Sequence, residues 1–119
     1  MNEVQRADLR AQVARLMSIL AMEECDQKIA LDSWGFPAQN KDDLAEELQR
    51  LITIIKTNRD CADTLSKHEF ETITSIDQIF AVNSGLGTDD FWEFGNPKYQ
   101  EEWRKIGSLA RRYSLPRPA

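Results

Sequence analysis

Histidine occurs once in this chain, as His68, and cysteine twice, as Cys25 and Cys61. Two cysteines are too few for a disulfide scaffold. Without a CxxC pair or a second histidine, a structural zinc site has too few ligands. The two thiols therefore read as small buried or half-buried packing groups. No apolar run approaches the roughly 20 residues that span a bilayer. The opening segment, MNEVQRADLRAQVARL, is charged and helical, with no apolar h-region and no small-residue cleavage site, so the expected compartment is the cytoplasm. A phosphate loop is also missing: Gly85-Leu-Gly87 has no Lys-Ser/Thr after it and no strand before it, and reads as a helix stop. No internal repeat or low-complexity segment stands out.

What the chain has is acid, unevenly spread. Its 119 residues are 41% hydrophobic and 29% charged, which fits one domain around one core, and the formal charge is −5. Residues 1–95 hold nine Lys/Arg against eighteen Asp/Glu, a net of −9, whereas residues 96–119 hold six against two, a net of +4. An acidic body repels nucleic acid phosphates and attracts basic proteins, which argues against a dedicated DNA or RNA binder.

The hydrophobic pattern has helical period throughout. Residues 3–31 read as one long helix with a stripe of Leu9, Val13, Leu16, Met17 and Leu20, weak at residues 22–26 and resumed by Ile29 and Leu31. Residues 32–40 form a connection, stopped by Gly35 and Pro37, with Trp34 and Phe36 packing back on the core. Asn40 caps a second helix to about residue 60, with Asp42 and Asp43 in its first turn and Leu44, Leu48, Leu51, Ile52 and Ile55 buried. The β-branched run LITII belongs to this helix, because the 3.6-residue pattern extends N-terminally through Ala45, Glu46, Glu47 and Leu48. Ser66-Lys-His-Glu69 matches a capping box and opens a third helix to about Val82 that buries Phe70, Ile73, Ile76 and Phe80. Asn96-Pro97 opens the last helix, whose stripe is Tyr99, Trp103, Ile106, Ala110 and Tyr113. The expected fold is all-α: a single-domain bundle or orthogonal array of about four helices over residues 1–114, with residues 115–119 a frayed tail.

The segment 83–103, NSGLGTDDFWEFGNPKYQEEW, concentrates the aromatic residues: Phe91, Trp92, Phe94, Tyr99 and Trp103 fall within it, with Asp89, Asp90 and Glu93 interleaved among the first three. Large rings supply contact area and carboxylates supply charge, so Asp89, Asp90, Phe91, Trp92 and Glu93 are the leading candidates for a partner-binding surface. The competing reading packs the rings into the end of the helical array, with Asp89 and Asp90 as caps. Asp42, Asp43, Glu46 and Glu47 make a secondary acidic face. Cys25 and His68 carry no recognisable catalytic motif, and His68 reads as a solvent-facing or capping-region residue. The cations of the C-terminal helix sit late in it, where they suit the dipole, and its rings lie on the apolar stripe; a core helix explains both better than nucleic acid binding does.

Asp43-x-x-Glu46 and Asp60-x-x-Asp63 place acids at i, i+3 on a helix face. In that spacing they resemble the paired acids with which all-α nucleotide pyrophosphohydrolases of the MazG type hold magnesium, and the resemblance implies magnesium-dependent cleavage of nucleoside triphosphates. This chain departs from the pattern: the first pair begins with Asp, the second lies at a helix end, and no Lys or Arg is placed for a triphosphate. An ordinary solvated helix face is the preferred reading.

As a type, the chain is similar to the small, acidic, helical proteins that neutralise bacterial toxins inside the cell. The expectation is a non-enzymatic protein-binding domain, an immunity protein or inhibitor of a basic toxin or enzyme, with no cofactor and no metal. The alternatives are the pyrophosphohydrolase and a structural helical adaptor or homo-oligomer subunit.

Overall fold

The computed structural model describes residues 3–33, 42–57, 64–84, 89–92 and 97–114. Five α-helices lie in these segments: α1 (Glu3–Leu20), α2 (Glu24–Asp32), α3 (Asp42–Thr57), α4 (Lys67–Val82) and α5 (Gln100–Ser114). Two 3-10 turns, Asp89–Trp92 and Pro97–Tyr99, stand between α4 and α5. The described residues contain no strand, so the protein is all-α.

Four of the helices close a ring. α1 packs on α3, α3 on α4, α4 on α5, and α5 returns to α1. The apolar stripes meet in its middle: Val13, Met17, Leu44, Leu48, Leu51, Ile73, Ile76 and Ile106 have no exposed surface, and Leu16 and Leu20 almost none. Each of these side chains removed from water contributes roughly 1.5–3 kcal/mol, so this ring of stripes supplies the main driving force for the fold.

The one long helix expected over residues 3–31 is two. α1 ends at Leu20, where the Met22 amide bonds the Ile19 carbonyl at 3.0 Å, a tightened i, i+3 turn. Glu23 is extended and α2 starts behind it, with Glu24 and Asp26 in its first turn. In the middle of a continuous helix these acids would gain nothing from the dipole, but at the start of a new one they suit it. The carbonyls freed by the break are covered by side chains. Gln27 Nε2, on a residue only 4% exposed, reaches Leu20 O at 3.4 Å, and Arg111 Nη1 on α5 reaches Ala21 O at 3.3 Å. The bend also corrects the assignment of Ile29, which is 68% exposed, while Leu31 is buried.

Elsewhere the start of α4 and the apolar stripes of α3, α4 and α5 match their expected places. Ser66 Oγ accepts from the Glu69 amide at 3.1 Å and Glu69 Oε1 accepts from the Ser66 amide at 2.8 Å, so the capping box is formed in both directions. On α4, Ile73, Ile76 and Phe80 are buried and Phe70 half-buried. Pro97 opens a 3-10 turn that runs directly into α5. Trp34, Phe36, Asn40, Cys61 and residues 115–119, expected to form a frayed tail, lie outside the described residues.

Candidate functional site

The short turn Asp89–Trp92 is held between the end of α4 and the start of α5 by a cluster of five rings. Phe91 stacks on Trp103 with ring centroids 4.8 Å apart and an interplanar angle of 21°. It meets Trp92 edge-on at 4.7 Å and Tyr99 edge-on at 5.3 Å. Phe80 of α4 closes the cluster against Trp92 at 5.4 Å and Trp103 at 5.7 Å. Such offset and edge-to-face pairs each add about 0.5–1.5 kcal/mol beyond the area they bury.

Both indole N–H groups are used. Trp92 Nε1 donates to the Asn83 carbonyl at 3.2 Å, and Trp103 Nε1 donates to the Phe91 carbonyl at 2.9 Å. A turn of four residues has few backbone bonds of its own, so these donations fix its path.

Phe91 has no exposed surface and Trp92 is 9% exposed. The two rings offered by the sequence as contact surface are thus interior to the fold. The reason is local: Trp103 and Tyr99, placed by the Pro97 turn, supply a wall for them, and Phe80 supplies the other. Asp89 and Asp90 are the first two residues of the turn, directly before the two anchored rings. Glu93 and Phe94 lie outside the described residues.

The secondary acidic face sits at the start of α3, which opens with Asp42 and Asp43. Asp43 is half-buried and Glu46 exposed. Glu47 is engaged by Arg50 of the next turn, whose Nε reaches Glu47 Oε2 at 3.2 Å. Arg50 Nη2 also bonds Gln12 Oε1 on α1 at 2.6 Å, and Gln12 Nε2 bonds Asp8 Oδ2 at 2.7 Å. A chain of four polar side chains therefore bridges α1 and α3. The bonded Glu47 carboxylate pushes the Arg50 pKa up, further than its partial burial pulls it down, with the Asp8 charge adding a little. Glu47 is consequently a structural partner of Arg50. Asp60 and Asp63, the second pair of the magnesium reading, lie outside the described residues.

The remaining candidates are dispersed. Cys25 is an exposed free thiol on α2, contrary to its expected packing role, because the bend after α1 turns that face of α2 outward. His68, half-buried in the first turn of α4, lies with Nε2 3.4 Å from the Arg112 carbonyl of α5. On α5, Arg104 pairs with Glu101 at 2.8 Å and Arg111 reaches the Ala21 carbonyl, and in the turn before it Lys98 Nζ sits 5.2 Å from the centre of the Tyr99 ring.

Two surface depressions flank the ring cluster, and neither has a signature in the sequence, because each is made by two helices meeting. One, of about 460 Å³, lies between the α1–α2 bend and α5, with Met22, Gln27 and Trp103 on its walls. The other, of about 570 Å³, runs between α4 and α5 along Ile79, Val82 and Leu109, with Glu102 and Lys105 at its edge. No helix among the described residues is long and apolar enough to cross a membrane.

No protein-family model matches this chain, and no curated protein and no solved structure matches it either.

Proposed function

We propose that this chain is a non-enzymatic protein-binding domain of the cytoplasm that takes a basic protein partner, in the manner of an immunity protein or inhibitor. The observation that supports it most is the rigid seat of the Asp89–Trp92 turn. Two consecutive acids open a turn whose next two residues are anchored by the ring cluster and two indole hydrogen bonds. A preorganised acidic turn loses little conformational entropy on binding. On a body of net charge −9 over residues 1–95, it would also gain fast association with a basic partner. Asp42, Asp43 and Glu46 extend the same sign of charge at the start of α3, with Glu47 serving chiefly to hold Arg50.

The test is capture of a partner at low salt on the immobilised protein, repeated with the purified partner against an Asp89→Asn/Asp90→Asn variant. The expected result is a basic partner whose association slows in the variant and slows further with salt. No retained protein at low salt, or equal binding by the variant, removes the reading.

A homo-oligomer subunit is the second reading, supported by the α4–α5 groove, where Val82 is 78% exposed beside half-buried Ile79 and Leu109. Light scattering that gives the mass of more than one chain would favour it, and the mass of one chain at high concentration would remove it.

A further inference from the structure

The groove between α4 and α5 combines apolar walls with a charged edge. Ile79 and Leu109 are half-buried in it, and Val82 leaves 78% of its surface in water. α5 places Glu102 and Lys105 at its edge. An acid and a base three positions apart on a helix can pair with each other, as Glu101 and Arg104 do one position earlier. Glu102 and Lys105 do not, and neither has an ion-pair partner among the described residues.

An edge of both signs selects its occupant. A basic partner would be repelled by Lys105 and an acidic one by Glu102, so neither gains complementarity from the two together. A second copy of the same surface does. Within the chain α4 and α5 run antiparallel: Phe80 lies level with Trp103, and His68 with Arg112. A two-fold axis lying in the contact plane, across the helices between residues 102 and 105, sets α5 of one copy antiparallel to α5 of the other. Glu102 of each copy then stands opposite Lys105 of the other, which is the self-complementarity that a two-fold contact requires. Ile79 and Val82, on either side of Phe80, meet across the same axis and shield each other from water. The two helices have 16 and 15 residues. Their outer face therefore offers roughly 500 Å² per chain, at the small end of specific interfaces, and the expected dimer is weak and reversible.

We propose that the α4–α5 groove joins two copies of this chain in an antiparallel two-fold dimer, through reciprocal Glu102–Lys105 pairs and the apolar patch of Ile79 and Val82. This contact rests on the homo-oligomer reading and gives it a geometry, and it is independent of any partner of the acidic turn.

The test is sedimentation equilibrium on the full chain up to about 1 mM, enough to populate a dimer of micromolar to sub-millimolar Kd. A mass of two chains is expected for the parent. Glu102→Lys and Lys105→Glu each set like charges opposite one another twice in the dimer, and each should weaken it about tenfold or more. The two variants mixed in equal amounts should dimerise again, because one copy then brings two cations to the contact and the other two anions. That recovery also shows that both single variants are folded. The Glu102→Lys/Lys105→Glu double variant, with the charges exchanged in place, should dimerise like the parent. A parent that stays one chain at this concentration overturns the proposal together with the homo-oligomer reading. A parent dimer unmoved by either single variant, a mixture that stays monomeric, or a mass above two chains overturns this contact and leaves that reading standing.

Discussion

The Trp103 indole N–H on α5 donates to the backbone oxygen of Phe91 at 2.9 Å, while the two rings stack at 4.8 Å. One side chain thus fixes both the backbone and the ring of the residue at the middle of the acidic turn. Helix α5, which packs on both α1 and α4, passes its rigidity to a segment of four residues that has little of its own.

Trp103→Phe keeps most of the stacking area but removes the donor. Phe91 has no exposed surface, so its carbonyl would lose its indole partner away from water. A loss of about 1–3 kcal/mol in unfolding free energy is expected, read as a lower urea midpoint with an unchanged slope. A wild-type midpoint would mean that water reaches the Phe91 carbonyl.

Trp92→Ala should behave quite differently from changes to the neighbouring acids. Trp92 is 9% exposed and packs on Phe80, Phe91 and Trp103, so its truncation is expected to cost about 3–5 kcal/mol. Asp89→Asn/Asp90→Asn changes charge and little else, because Asn serves about as well as Asp at the start of a turn, and stability should stay within about 0.5 kcal/mol. Only the charge variant is therefore a clean probe of binding. Thermal melts of both variants, run before any interaction measurement, check this. A large loss of stability in the Asn pair would show that the acids hold the turn together.

The residues legible in sequence were those whose signal is local. The Ser66–Glu69 capping box, the stripes of α3 and α5 and the Pro97 start depend on spacings of three or four residues, and they survive folding because nothing distant opposes them. The α1–α2 bend was missed because its cause is spread along the chain: Gln27 and Arg111, 84 positions apart in sequence, cover the Leu20 and Ala21 carbonyls. The acids Glu23, Glu24 and Asp26 were the available hint, since they mark a helix start better than a helix middle. The position of Trp92 was open for a similar reason. Three large rings in four positions cannot all point inward from one helical turn, and whether Trp92 does so depends on Phe80 and Trp103, which come from other elements.

Gly107 lies where α5 passes the end of α1, which suggests a glycine kept for close approach. The space is larger than that. A methyl group added there would sit 3.5 Å from Leu20 O and 3.5 Å from Arg111 Nη1, ordinary contact distances. Gly107→Ala should therefore keep the fold and raise stability by about 0.5–1 kcal/mol through helix propensity. A rise in the urea midpoint is the expected outcome. A fall would mean that the Arg111 bond to Ala21 is displaced by the new methyl.

Tyr113 gives the protein a pH limit on the alkaline side. It is 8% exposed, and burial pushes its phenol pKa well above the ordinary value; the Glu69 charge and a hydrogen bond to that carboxylate push it further, against a smaller opposing effect of Arg10. In the unfolded chain the phenol ionises near its ordinary value of about 10. Between that pH and the higher folded value, the unfolded state binds fewer protons than the folded one, so stability falls as pH rises. The contribution is fully present below about pH 10 and is lost above it. Tyr113→Phe should lower stability near neutrality by roughly 1 kcal/mol, the worth of the Glu69 bond, and should flatten the alkaline decline. Urea midpoints of the two proteins are expected to draw together from about pH 10 upward. A gap that stays constant across that range would show that Tyr113 ionises alike in the folded and unfolded states.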